Sequence, residues 1–139
     1  MINIFSIKRN RLVDIFKKCG NRYGLRWKKE NKAWALDIPV NRKLVHARFT
    51  FDESENSYEF GAPLAQVDEE NRAKFAQNIL NSEPVRGITE RIVGDKFYIL
   101  GSKDGLSYLP DEEVENSFKD DIYRIAEYFR GLHEVVDLN

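Results

Sequence analysis

Two alternating runs, Trp34-Ala35-Leu36-Asp37-Ile38-Pro39-Val40 and Val45-His46-Ala47-Arg48-Phe49-Thr50-Phe51, decide the fold of this chain. In each, the residues Trp34, Leu36, Ile38, Val40 and then Val45, Ala47, Phe49, Phe51 are two apart, and a strand sends alternate side chains to opposite faces. The pattern predicts two strands, each with one face buried. Asn41-Arg42 supplies a tight turn between them, which makes them antiparallel neighbours. Pro39 has no N–H to donate, so it belongs on an edge strand or at a strand's end. After the polar loop Asp52–Asn56, a third run of Tyr58, Phe60, Ala62 and Leu64 reaches Val67, and the short connections imply a meander.

Helices flank this meander. Leu12, Ile15, Phe16 and Cys19 keep the spacing of a helix face, predicting a helix from about Ser6 or Asn10 to Cys19 with Gly20 as its left-handed cap. Beyond the third strand, Asp68 is placed to cap a second helix, with Glu69 and Glu70 near its positive end. Phe75, Ala76, Ile79 and Leu80 give that helix an apolar face, and Pro84 ends it. Ile88–Val93 and Lys96–Leu100 read as a hairpin around Gly94-Asp95, whose leading glycine suits a type II′ turn. Asp104-Gly105 makes another turn, and Pro110 opens a last helix, where a first turn tolerates proline. Val114, Phe118, Ile122, Ile125, Phe129, Leu132 and Val136 form its apolar stripe, with Gly131 as an early stopping point. Burying that stripe is worth roughly 10–20 kcal/mol. The order is α-β-β-β-α-β-β-α, a single α+β domain over residues 1–139 with a mostly antiparallel sheet covered by helices.

A chain of 139 residues with 42% apolar and 32% charged residues is expected to be one soluble domain with a core of its own. Its single cysteine, Cys19, cannot form an internal disulfide, and the composition suits the reducing cytosol. No apolar run approaches the roughly 20 residues that span a bilayer, and Met1–Ile7 is too short and polar for a secretory leader. The expectation is a cytoplasmic protein without a membrane role. The net charge of -1 conceals an asymmetry, because residues 1–50 carry thirteen Lys/Arg against three Asp/Glu while 51–139 are correspondingly acidic. Either the two parts neutralise each other across one surface, or the basic part meets a nucleic acid or an acidic partner.

Catalytic chemistry is poorly represented. His46 falls on the polar side of its strand, and His133 lies near a helix C-terminus, where a protonated ring suits the dipole. With one Cys and two distant His there is no zinc spacing, so neither metal nor cofactor is expected. The glycines sit with turns rather than in a phosphate loop. Asp111-Glu112-Glu113 serves the positive end of the last helix, and Asp120-Asp121 point in different directions. Cys19, on an apolar helix face, reads as a small buried hydrophobe.

The order of elements resembles the type III secretion chaperones and the related bacterial sensory-transduction-regulator-like group, over about Leu25–Leu132. The resemblance is carried by Gly61-Ala62-Pro63-Leu64 running into Asp68-Glu69-Glu70-Asn71-Arg72, then Phe75, Ile79, Leu80 and Asn81. Gly87, the Gly94-Asp95 hairpin and Asp111-Glu112-Glu113 before an amphipathic helix complete it. It implies a non-enzymatic, usually dimeric protein that binds an extended segment of another protein, with no catalytic residue to carry over. The basic first 50 residues depart from that group's acidic character.

The functional expectation is therefore a chaperone-like module that binds a partner polypeptide and forms a homodimer. Phe118, Ile122, Ile125 and Phe129 of the last helix are its expected contacts. The alternative is a nucleic-acid-binding accessory protein. In that reading Arg22, Arg26, Trp27, Lys28, Lys29 and Lys32 would set cations on phosphates and aromatic rings on bases. The same segment suits an acidic protein, and an inhibitor or immunity-type protein blocking a macromolecule is a further possibility.

Overall fold

In the computed structural model, residues 11–81 and 87–135 are described, and the alternating runs do pair as a meander. Helix α1 (Arg11–Arg22) is followed by strands β1 (Arg26–Glu30), β2 (Ala33–Val40), β3 (Lys43–Asp52) and β4 (Ser57–Gln66). Helix α2 (Arg72–Asn81), strands β5 (Ile88–Val93) and β6 (Lys96–Lys103), a 3-10 turn at Leu106–Tyr108 and helix α3 (Asp111–Val135) complete the order. All six strands join one antiparallel sheet in the order β1-β2-β3-β4-β6-β5.

Turn chemistry sets the register. Asn41 and Arg42 have φ of 49° and 67°, both positive as a type I′ turn requires, and Val40 pairs with Lys43 across them. At Gly94, φ is 61°, and Val93 pairs with Lys96, closing the anticipated hairpin. The Asp52 carboxylate accepts from Ser54 Oγ and Glu55 N–H, ordering the β3–β4 loop.

Three expectations need correction. The sheet has four strands before α2, not three, because Arg26–Glu30 pairs along β2 as an edge. Its alternation is obscured: of the side chains on its covered face, Trp27 is apolar and Lys29 is not. Gly20 does not end α1. The helix runs on to Arg22, and Gly24, at φ 68°, takes the left-handed position. A Cβ on Gly20 would stand 2.7 Å from Trp27 Cδ1, so the glycine makes room for that ring. Finally, α3 passes through Gly131 without stopping. The proposed start of α1 near Ser6 or Asn10, the stop at Pro84 and the contribution of Val136 lie outside the described residues.

All three helices lie on one face of the sheet. Phe16 of α1 and Phe118 of α3 meet Phe49 and Phe51 of β3, with ring centroids 5.1–6.2 Å apart. Phe75 of α2 stacks on Phe97 of β6 at 5.1 Å. Such offset and edge-to-face pairs add about 0.5–1.5 kcal/mol each to the area they bury. Ahead of α2, the Asp68 carboxylate accepts from the Asn71 N–H, and Asn71 Oδ1 accepts from the Asp68 N–H. Of the α3 stripe, Val114, Phe118, Ile125, Phe129 and Leu132 are buried and Ile122 is half-buried. No described helix covers the opposite face of the sheet.

Candidate functional site

The edge strand β1 is shorter than its neighbour. It pairs with β2 from Ala33 to Asp37, and β2 continues for three more residues, Ile38, Pro39 and Val40. The notch left there is a groove of about 460 Å³. Ile38 and Pro39 line it from β2, Tyr23 and Leu25 from the α1–β1 connection, and Ile122, Tyr123 and Ala126 from α3. Pro39 withholds a backbone donor at the point where β1 no longer covers β2. Tyr23 is 46% and Tyr123 64% exposed, so two aromatic rings stand at the rim. Lys119 and Asp120 complete the border, and Lys119 Nζ lies 6.0 Å from the Tyr23 ring centroid.

The expected contact residues divide. Phe118, Ile125 and Phe129 are consumed by the chain's own core, at 0%, 0% and 5% exposure. Ile122 alone reaches the groove. Tyr23, Leu25, Ile38, Pro39, Tyr123 and Ala126 escaped the sequence reading, since only folding brings these distant positions together. One available signal was Tyr123 beside Ile122: a large ring just off the apolar stripe.

The cations of the basic segment are interleaved with acids and rings. Arg22 pairs with Glu115 at 3.2 Å and Lys28 with Glu30 at 3.3 Å. Trp27 and Trp34 lie 5.8 Å apart, both half-buried, with Lys17 Nζ 4.6 Å from the Trp34 centroid and 5.3 Å from Trp27. Lys29 Nζ stands 6.0 Å from Trp34, and the Trp27 indole donates to Asn21 Oδ1 at 2.9 Å. The two tryptophans thus hold cations of this chain instead of presenting open faces. Arg26 and Lys32 are exposed.

On the uncovered face, His46 lies between two carboxylates, Nδ1 at 2.7 Å from Asp37 Oδ1 and Nε2 at 2.8 Å from Glu30 Oε1. Arg48 Nε donates to the same Glu30 oxygen at 3.1 Å. The hydrogen bond from His46 holds the Glu30 carboxyl down to about 2, and the two carboxylates raise the His46 ring above its ordinary value. The carboxylates flank opposite ring nitrogens and so do not converge on one point. Among the described residues no group of three or more His, Cys, Asp or Glu could hold a metal ion.

The titratable side chains of Cys19, Tyr58 and Asp121 are buried in the core. Burial pushes the Cys19 thiol up to about 11, which leaves little thiolate. Tyr58 donates from its hydroxyl to Asp121 Oδ2 and shares a 2.8 Å hydrogen bond with Ser117 Oγ. Burial raises both the Tyr58 and the Asp121 pKa. Asp121, whose neighbour Asp120 is exposed, lies inside the covered face of α3 at 0% exposure, so the two carboxylates do point in different directions.

No protein-family model matches the chain, and no curated protein sequence does. Solved structures resemble it. YbjN from E. coli, provisionally assigned as a transcription regulator, has a TM-score of 0.62 at 14% identity, covering 88% of this chain and 91% of that one. The Yersinia pestis type III secretion chaperone SycH, in complex with a stable fragment of YscM2, has a TM-score of 0.42 at 9% identity, covering 81% and 98%. At the first of these values the chain shares the fold of YbjN, as the order of its elements anticipates.

Proposed function

We propose that this chain is a non-enzymatic, cytoplasmic module that binds a partner polypeptide, seating an apolar side chain of it in the groove beside α3. The observation that carries this reading is the groove at the end of β2 that β1 does not reach, lined by Leu25, Ile38, Pro39, Ile122 and Ala126 and bordered by the exposed rings of Tyr23 and Tyr123. Apolar pockets rimmed by aromatic side chains are where interfaces concentrate their energy.

The test is selection of a displayed random-peptide library against the purified chain, followed by methyl NMR with the enriched peptides. They should shift Leu25, Ile38, Ile122 and Ala126, and Tyr123→Ser should weaken them about tenfold or more. Peptides that shift other methyls, or bind Tyr123→Ser equally well, would count against the groove.

One observation favours homodimerisation through the same helix. If two α3 helices meet antiparallel at Tyr123, Lys119 of each faces Glu127 of the other, the self-complementarity a two-fold interface needs. Light scattering tests it: Lys119→Glu should give monomers and the Lys119→Glu/Glu127→Lys double variant should restore dimers. An unchanged mass in the single variant would exclude this arrangement.

A further inference from the structure

The side chains on the uncovered face are arranged around two alanines. Ala33 and Ala35 of β2 lie between β1 and β3, with Lys28, Ala35 and Arg48 in one register row and Arg26, Asp37 and His46 in the next. Ala35 is 1% exposed although no described helix covers it, because longer neighbours lie over it. This low trough lets β3 reach past β2. His46 and Arg48 both bond Glu30, the last residue of β1, on a strand that is not their neighbour.

We propose that the protonated His46 ring is a latch that fastens the edge strand β1 to the sheet and opens as pH rises. Bonding carboxylates at both nitrogens requires a proton on each, which is the imidazolium. Once one proton leaves, a bare nitrogen faces a carboxylate oxygen across 2.7 or 2.8 Å, and that contact turns repulsive. The charged groups around the ring are Arg26, Lys28 and Glu30 from β1, Asp37 from β2 and Arg48 from β3. On β4 the pairing with β3 runs as far as Gly61 opposite Arg48, and Gly61 does not titrate. Lys28 and Arg48 stay on Glu30 after the ring is neutral, so the strand loosens without being expelled.

The two neighbouring carboxylates raise the ring's affinity for its proton, so the sign follows. The stabilisation is complete below the unfolded histidine's pKa, near 6.5, and is lost as pH climbs through the higher folded value. Leu25, just ahead of β1, walls the groove proposed to bind a polypeptide, so the latch would regulate that same site. It does not depend on what the groove holds.

The experiment therefore contains no ligand. Hydrogen–deuterium exchange of the β1 amides, corrected for intrinsic base catalysis, is followed from about pH 5.5 to about pH 8.5, while NMR follows His46 itself. Protection of Arg26–Glu30 relative to β6 should fall about tenfold, the equivalent of one charge-assisted bond, in step with the ring's titration. His46→Gln should show low protection at every pH, with no step. Constant protection in the wild type while the ring titrates overturns the latch, as does an equal step in His46→Gln. Failure of the peptide-binding reading leaves both outcomes unaffected.

Discussion

Tyr58→Phe is the sharpest probe of the core. Tyr58 is 1% exposed, and the carboxylate it serves, Asp121, is 0% exposed. Asp121 Oδ1 has no hydrogen-bond partner among the described residues, and Arg124 Nη1 stands 4.0 Å from it. The hydroxyl is thus the direct donor of a carboxyl held out of water, and it bonds Ser117 as well. Removing it forfeits two bonds and strands the carboxyl in a dry site, together about 2–4 kcal/mol. In a domain of this size that lowers Tm by roughly 6–15 °C. Urea denaturation followed by tryptophan fluorescence measures the free energy, and calorimetry the Tm. The loss should shrink in an Asp121→Leu background, where nothing is left needing a donor, giving a coupling of about 1 kcal/mol or more. A loss below about 0.5 kcal/mol, in the range of an ordinary surface change, with additive double-variant energies would refute this account of the pair.

Other perturbations follow from the same packing. Ile125→Asp puts a charge at a fully buried position of α3, so it should abolish cooperative unfolding in circular dichroism instead of merely weakening partner binding. Gly101→Ala would set a Cβ 2.3 Å from Phe60 Cζ and 2.9 Å from the Gly87 carbonyl oxygen. It should lower stability by about 1–3 kcal/mol, read as a lower urea midpoint at unchanged slope. Glu30, held at about 2 against an ordinary 4.5, contributes stability that is present above 4.5 and lost as pH falls toward 2. Glu30→Gln should accordingly flatten the acid limb of the stability curve between those values.

The meander and α3 were legible because burial imposes a period on sequence. Leu36, Ile38, Val45, Ala47 and Phe49 alternate for the same reason that Phe118, Ile125 and Phe129 recur at helical spacing: one side of each element is dry. β1 was illegible because an edge strand is only partly covered. Its inward Lys29 meets Trp34 instead of an apolar wall, so alternation never develops. Gly20 misled because a glycine's freedom of backbone and its want of a Cβ look identical in sequence, and here the second is used. The groove was invisible for another reason. Its lining comes from positions as far apart as Tyr23 and Ala126, and it opens where β2 runs on past its shorter partner β1. The deep burial of Asp121 was hidden because Tyr58, its donor, belongs to a distant strand.

The arrangement of the helices also bears on how the molecule is made. Synthesis delivers every strand before α3, yet Phe118 of α3 is the ring that meets Phe16, Phe49, Phe51 and Tyr58. Until that last helix has cleared the ribosome, a nascent chain carries an aromatic surface that α1 and α2 cover only in part. Transiently exposed surfaces of this kind drive aggregation. That part of the face stays open for the time it takes to translate about two dozen further residues, on the order of a few seconds.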